Sequence, residues 1–272
     1  MRIHVQHETV YRYAVPARYV IQKLRLTPRS HDGQHVRRWR IEVTEDCRLT
    51  ESIDAFGNRV HSFTLTGQIT EIAIRVHGDV ETEDTAGVVR GTKEPLPLAL
   101  YLRETRLTAP DEALRVFAER FMPGSADQLT MLHDLLVELN RRIRFDVGRT
   151  DAGTTAADAF RLGHGVCQDF AHMFVATARL LGVPARYVGG YLVQTDGKVA
   201  QDAGHAWAEA HVDNFGWVGF DPANGVSVSD AYVRGAIGLD YLGAAPIRGT
   251  QSGGGDEAME VAVQVQDLAA QQ

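Results

Sequence analysis

Hydrophobic and polar positions change rhythm about a third of the way along this chain. Up to residue 85, β-branched and aromatic residues gather in short runs: Ile3 to Tyr13, Tyr19 to Leu26, Val36 to Val43, Val60 to Leu65 and Ile69 to Val80. Val36, Trp39, Ile41 and Val43 follow the rough alternation of a half-buried strand. Phe56-Gly57-Asn58 is a turn signal between two such runs. The pattern predicts an antiparallel, sandwich-like β domain over 1–85. Gly87, Gly91, Pro95, Pro97 and Pro110 break any rhythm over 86–110, which reads as a linker.

From residue 111 the period lengthens. Thr108-Ala-Pro110-Asp111 supplies an N-cap, a proline in the first turn and an early acid, and Leu114, Phe117 and Phe121 follow at helical spacing. Ser125-Ala-Asp-Gln128 has the form of a capping box; Leu129, Leu132, Leu136, Leu139 and Ile143 then form one apolar face. A short helix is predicted over 155–162. The next helix starts at Gly165 or Val166 and ends at Leu181, stopped by Gly182 and Pro184. Its face of Cys167, Ala171, Phe174, Ala178 and Leu181 is largely apolar, which predicts burial against a sheet. Strands follow over 185–192, 204–212 and 216–221, with a tight turn at 213–216. Gly253-Gly254-Gly255 then precedes an alternating stretch, Met259, Val261, Val263, Val265. The second unit, 111–272, is thus expected to be α+β: a Cys-bearing helix on an antiparallel sheet, closed by a C-terminal edge strand.

Composition narrows the classes. A hydrophobic fraction of 44% and a charged fraction of 23% are those of an ordinary globular protein. No apolar run approaches the ~20 residues that span a bilayer. The start, Met-Arg-Ile-His-Val-Gln-His-Glu, lacks a signal-peptide core, so the expected location is cytoplasmic, with no membrane partner. The net charge of −7 is unevenly spread: residues 1–60 carry 11 Lys+Arg against 7 Asp+Glu, residues 201–272 carry 2 against 10. An acidic C-terminal part is a poor match for phosphate, so nucleic acid is not an expected partner. The basic N-terminal stretch reads as a solvated sheet face. Two cysteines, Cys47 and Cys167, are too few for a disulfide scaffold.

Three stretches carry candidate chemistry: Gly-His-Gly-Val-Cys167-Gln-Asp-Phe-Ala-His, Gly-His205-Ala-Trp-Ala-Glu and Gly-Trp-Val-Gly-Phe-Asp221-Pro-Ala-Asn-Gly. A thiol near its free pKa of about 8.5 is a poor nucleophile at neutral pH; it needs a base and a group to orient that base. Cys167 falls in the first turn of its helix, where free N–H groups and the helix dipole favour an anion. Gly163 and Gly165 flank His164 and would leave room for a substrate carbonyl and an oxyanion-binding N–H. A hairpin turning at 213–216 brings His205 near Asp221, which can accept the imidazole N–H and aim the other nitrogen at Cys167. Singly, each has a bland reading, a lone Cys in an apolar helix being more often core; the combination points to nucleophilic catalysis. His164, Gly165 and Trp207 are the candidate substrate-contacting residues, Trp207 as a wall. Asp169 reads as a dipole partner of the helix and His172 as structural. A zinc site is the chemical rival, but no second close Cys or His-x-x-x-His pair completes four ligands, so no metal and no cofactor is expected.

Gly165-Val-Cys167-Gln-Asp-Phe-Ala-His172, Leu-Gly182-Val-Pro184-Ala-Arg186-Tyr-Val, His205-Ala-Trp207-Ala-Glu209 and Trp217-Val-Gly-Phe-Asp221-Pro-Ala-Asn224-Gly225 resemble the bacterial transglutaminase-like proteins over about 110–245. Leu24-Arg-Leu-Thr-Pro28 and Asp54-Ala-Phe-Gly-Asn58 resemble the β-rich N-terminal region that accompanies that domain. The resemblance implies a papain-like core with Cys167 as nucleophile, His205 as general base and acid and Asp221 as orienter. It spans transglutaminases, peptidases, amidases and deamidases, so it does not choose the reaction. Animal transglutaminases place a Trp upstream of the Cys; here none lies between Trp39 and Cys167, which leaves the second oxyanion donor unassigned. No calcium-binding loop is matched. The expected function is acyl transfer on a peptide or protein substrate through a thioester, resolved by water. Cross-linking or deamidation of protein glutamine is the alternative, and a non-catalytic peptide-binding module is the alternative of another class. A homo-oligomer is left open.

Overall fold

A computed structural model of the chain describes residues 1–121, 127–194, 199–201 and 203–268. Among these, two large antiparallel sheets dominate. The first contains β1 (Arg2–Thr27), β2 (Gln34–Val43), β3 (Thr50–Ile53) and β4 (Arg59–Thr82), joined by three strands from far along the chain: β9 (Ala200–Gln201), β14 (Ile247–Gly253) and β15 (Glu257–Asp267). The second runs β12 (Val226–Ser227), β11 (Gly216–Asp221), β10 (His205–Val212), β8 (Ala185–Leu192), β13 (Tyr232–Gly238), with β5 (Val88–Val89) beside β11. A two-stranded parallel pair, β6 (Arg144–Phe145) and β7 (His164–Gly165), lies next to the Cys-bearing helix in sequence.

The five runs predicted over 1–85 become three long strands, and the short β3 falls outside them. Ile3–Tyr13 and Tyr19–Leu26 fuse into β1, and Val60–Leu65 and Ile69–Val80 fuse into β4. The reason is a change of face within each run. In β1 the odd positions Ile3, Val5, His7, Thr9, Tyr11 and Tyr13 are buried, then the even positions Val20, Gln22, Leu24 and Leu26. The switch falls where the β1–β4 register shifts, between Arg12 and Ala17 and again between Ala17 and Tyr19. Irregularities of that kind bend a strand. Both halves of both strands then cover one core that holds Tyr11, Leu24, Leu65 and Ile74, the sandwich-like arrangement expected.

Two expectations about organisation are corrected. The closing strand is not an edge of the second unit: β15 pairs with β1 from Ile3↔Asp267 to Tyr13↔Glu257 and carries β9 on its other side. Its buried Val263 and Val265 pack with Ile3, Val5 and Val80. Nor is 86–110 a free linker. β5 joins the core sheet, a helical turn at Leu98–Leu102 follows, and Tyr101 and Leu107 are fully buried.

The helices follow their apolar faces. α1 (Glu112–Glu119) is capped by Asp111, whose carboxylate accepts from Leu114 N–H, rather than by Thr108, which is buried. α2 (Gln128–Arg142) is capped by Asp127; Ser125 of the expected capping box lies outside the described residues. α3 (Ala156–Leu162) is capped by Thr155. α4 (Cys167–Leu180) is buried all round from Asp169 to Arg179. Phe170, Met173 and Phe174 of α4 share a core with α2, α3 and the Ala208–Ala210 side of β10. A short α5 (Tyr241–Ala244) ends the second unit before the chain returns to the β domain. Among the described residues no helix is long and apolar enough to cross a membrane.

The two sheets are joined by amide side chains acting as strand surrogates. β13 lies at one end of its sheet. Asn58 accepts from Ile237 N–H and donates to Ile237 C=O, both at 2.8 Å; Gln34 does the same with Arg234 at 2.7 and 3.0 Å. Backbone groups of an edge that would otherwise sit unpaired are thus satisfied by the β domain.

Candidate active site

Cys167 is the first residue of α4. The turn before it is set by Asp169, whose carboxylate accepts from Val166 N–H at 2.9 Å and from the Thr150 hydroxyl at 2.7 Å. Burial pushes the Asp169 pKa up against those hydrogen bonds. The flanking glycines have local packing reasons. Gly163 ends α3 at φ +70°, where a side chain is strained. A Cβ on Gly165 would come within 2.7 Å of the Asp169 Cβ. His164 holds Asp146 through Nδ1 at 3.1 Å. Neither His164 nor Gly165 is part of the lining of the cavity that opens onto Cys167.

His205 opens β10, and Asp221 closes the neighbouring β11. The turn that joins these strands carries Asn214 at φ +66° and Gly216 at φ +83°. The hairpin places His205 Nε2 2.7 Å from Asp221 Oδ2. Asp221 is fully buried, yet every oxygen is engaged: Oδ2 accepts from Tyr232 O–H and Asn224 Nδ2 at 2.7 Å, and Oδ1 from the N–H groups of Ala223 and Asn224. Burial alone would raise its pKa. The hydrogen bond and charge of His205, with Tyr232 and Asn224, overcome this and hold it below the usual carboxylate range. For His205, burial pulls down, but hydrogen bonds to Asp221 and Cys167 and their charges push its pKa up to about 10. With Nε2 on Asp221, Nδ1 is the nitrogen left for the thiol. Cys167 and Cys47 are both unbonded to other sulfurs.

Trp207 does not wall the site. It is buried, stacks on the His205 ring at 6.2 Å and meets Tyr232 edge-on at 5.4 Å. It therefore braces the His205–Tyr232 side from behind, and it too is absent from the cavity lining. His172 is fully buried, and its Nε2 accepts from Tyr241 N–H at 3.0 Å. Burial lowers its pKa to about 4, the state of a structural, neutral imidazole.

A cavity of about 270 Å³ opens onto Cys167 and His205, just below the range of typical small-ligand sites. Part of its floor is bare backbone at Gly189, Gly190 and Gly204. Gly190 must be glycine: a Cβ there would meet Val233 O at 2.1 Å and the Trp207 ring at 2.7 Å. Tyr187, between the thiol and the His172 ring, is a wall that sequence reading missed. Another part of the wall belongs to the β domain: His7, Thr9 and Tyr11 on β1, and Met259 and Val261 on β15. Among the described residues, no cluster of three or more His, Cys, Asp and Glu is placed to hold a metal ion.

This fold and geometry are those of a transglutaminase-like protein, and comparison with known proteins agrees. Residues 3–81 match the bacterial transglutaminase-like N-terminal region, and residues 115–222 match the transglutaminase-like superfamily. The chain belongs to that superfamily. An uncharacterised protein of Mycobacterium leprae is 31% identical over 280 residues, covering 98% of this chain and 99% of its own length. An uncharacterised protein of Mycobacterium tuberculosis is 29% identical over 273 residues, covering 91% and 87%. A crystal structure described as a cysteine protease candidate from Cytophaga hutchinsonii superposes with a TM-score of 0.80 at 20% identity, covering 98% of this chain and 91% of that one. That likeness extends over both sheets, and at that identity it concerns the fold.

Proposed function

We propose that the protein is a thiol-dependent acyl-transfer enzyme that hydrolyses peptide or amide bonds. The observation that carries this is His205, held between a fully buried, fully hydrogen-bonded Asp221 and the Cys167 thiol at a helix start. With a pKa near 10, His205 holds a proton at neutral pH, and an imidazolium balances the charge of the thiolate, the attacking form. The sulfur adds to the substrate carbonyl carbon. The backbone N–H groups of Cys167 and Gln168, which start α4 and come before the first intrahelical bond, are the donors offered to the developing oxyanion. His205 gives its proton to the departing amine as the C–N bond breaks, leaving a thioester. Water then attacks, His205 takes one of its protons, and the acid leaves as the C–S bond breaks and the thiolate–imidazolium pair re-forms.

Water is favoured over a lysine as the second nucleophile by the lining itself. Among the described residues no Asp or Glu lines the cavity, so none of their carboxylates draws an ammonium group. The test is mass analysis of peptide mixtures incubated with wild type and Cys167→Ser. Hydrolysis predicts Cys167-dependent addition of water across amide bonds. Loss of ammonia from glutamine, or its replacement by an added amine, would instead support the deamidase or cross-linking reading. Peptide retention by both forms with no turnover would make the protein a binding module.

A further inference from the structure

The β domain brings polar chemistry to the cavity, not only bulk. His7 and Thr9 on β1 and Tyr191 on β8 all line it, and each is more than nine-tenths buried. They form a chain: His7 Nδ1 lies 3.0 Å from the Tyr191 hydroxyl, and His7 Nε2 lies 3.0 Å from the Thr9 hydroxyl. Among the described residues neither imidazole nitrogen meets a carboxylate. We propose that this Thr9–His7–Tyr191 chain is a substrate-binding site that donates one hydrogen bond to a carbonyl oxygen of an uncharged acyl or amide group beside Cys167.

Burial lowers the His7 pKa to about 4, so at neutral pH the ring carries one N–H and one acceptor nitrogen. The chain then holds three polar hydrogens, one on each hydroxyl and one on the ring, for two internal bonds. If Tyr191 donates to Nδ1, the Nε2–H donates to Thr9 and the Thr9 hydrogen is spare. If Thr9 donates to Nε2, the Nδ1–H donates to Tyr191 and the Tyr191 hydrogen is spare. Either way one hydroxyl hydrogen at the cavity has no acceptor among the described residues, and a carbonyl oxygen answers it. The lining also says what does not fit. Arg25 is already held by Asp54 at 3.0 Å, and no acid lines the cavity among the described residues. Beside the Thr9–His7–Tyr191 chain a charged group would be desolvated with no counter-charge among the described residues.

This inference rests on Cys167 being the reactive thiol, and the test separates the two. Three alkylating probes would be reacted with the full chain and Cys167 adducts quantified: iodoacetamide as the measure of intrinsic thiol reactivity, N-acetyl-leucine chloromethyl ketone, and leucine chloromethyl ketone with its free ammonium. In each case the sulfur–carbon bond forms as halide leaves. The quantity read is the rate with a chloromethyl ketone divided by the rate with iodoacetamide. For the acetylated probe, the Thr9→Val/Tyr191→Phe double variant should lower this ratio about fivefold to tenfold, the loss of one hydrogen bond. Each single variant should lower it less than the double, because the other hydroxyl can still supply the hydrogen. In wild type, which needs no variant to fold, the acetylated probe should outrun the ammonium probe. A double variant with the wild-type ratio, or an ammonium probe as fast as the acetylated one, would overturn the proposal. Iodoacetamide labelling that ignores His205→Ala would count against the acyl-transfer reading itself, whatever the ratios.

Discussion

Two histidines face the same cavity and behave in opposite ways. His205, from the core sheet, has its pKa raised to about 10; His7, from the β domain, has it lowered to about 4. Burial lowers both. What differs is the partner: His205 has the Asp221 carboxylate and a thiol, while His7 has two hydroxyls. One wall is therefore built to hold a proton and pass it on, and the other to present neutral hydrogen-bonding groups. The same residue type serves acid–base chemistry or recognition according to whether a charge stands behind it.

The largest break in this contrast should come from Asp221→Asn. With the carboxylate gone, burial is left opposed only by Cys167, and the His205 pKa should fall from about 10 to below its ordinary 6.5. An NMR titration of the ring carbons reads this directly; a His205 still titrating near 10 would show that Asp221 is not the cause. Tyr232 and Asn224 would remain to hold the new amide in place.

Stability against pH sharpens the contrast next. His205 has a folded pKa above its unfolded value, so its contribution is fully present below pH 6.5 and is lost as pH rises towards 10. His7 has a folded pKa below its unfolded value, so its contribution is present above pH 6.5 and is lost as pH falls towards 4. Each proton changes the slope by about 1.4 kcal/mol per pH unit. Urea unfolding across pH should show His205→Asn flattening the alkaline limb and His7→Asn flattening the acid limb. If both variants alter the same limb, the opposed assignments are wrong.

Smaller effects follow on each side. Tyr232→Phe removes one hydrogen bond to a charged carboxylate and should cost about 1.5–3 kcal/mol in chemical denaturation, with His205 still titrating well above 6.5 because the carboxylate remains. Tyr191→Phe should barely move the His7 titration, since burial rather than the hydroxyl lowers it. A His7 pKa that returned to 6.5 in that variant would show that the hydroxyl, not burial, sets it.

The legibility of the two walls in the sequence differs for the same physical reason. Cys167, His205 and Asp221 each sit at an element boundary that local signals mark: a helix start before an apolar run, a strand after Gly204, an Asp-Pro at a strand end. The hairpin between His205 and Asp221 is local too, because the turn at 213–216 fixes it. His7 and Thr9 look like any polar positions in a strand; only the docking of β1 against β8, some 180 residues on, gives them Tyr191. The partner of β15 was hidden likewise, since alternation shows a strand but not which strand it joins. Trp207 was placed on the correct face of β10, but what covers that face was not written locally. Gly165 carried a real signal whose cause, the Asp169 side chain, lies one helical turn away.

The central claim is that His205 activates Cys167, and the most direct test is iodoacetamide alkylation of both cysteines across pH, mapped by peptide mass, in wild type and His205→Ala. Cys47 is the internal reference: burial, with Asp46 and Glu45 nearby, pushes its thiol pKa up. The account predicts that Cys167 reacts faster than Cys47 at neutral pH and loses that advantage in the variant. Cys167 reacting like Cys47 in both proteins would contradict it.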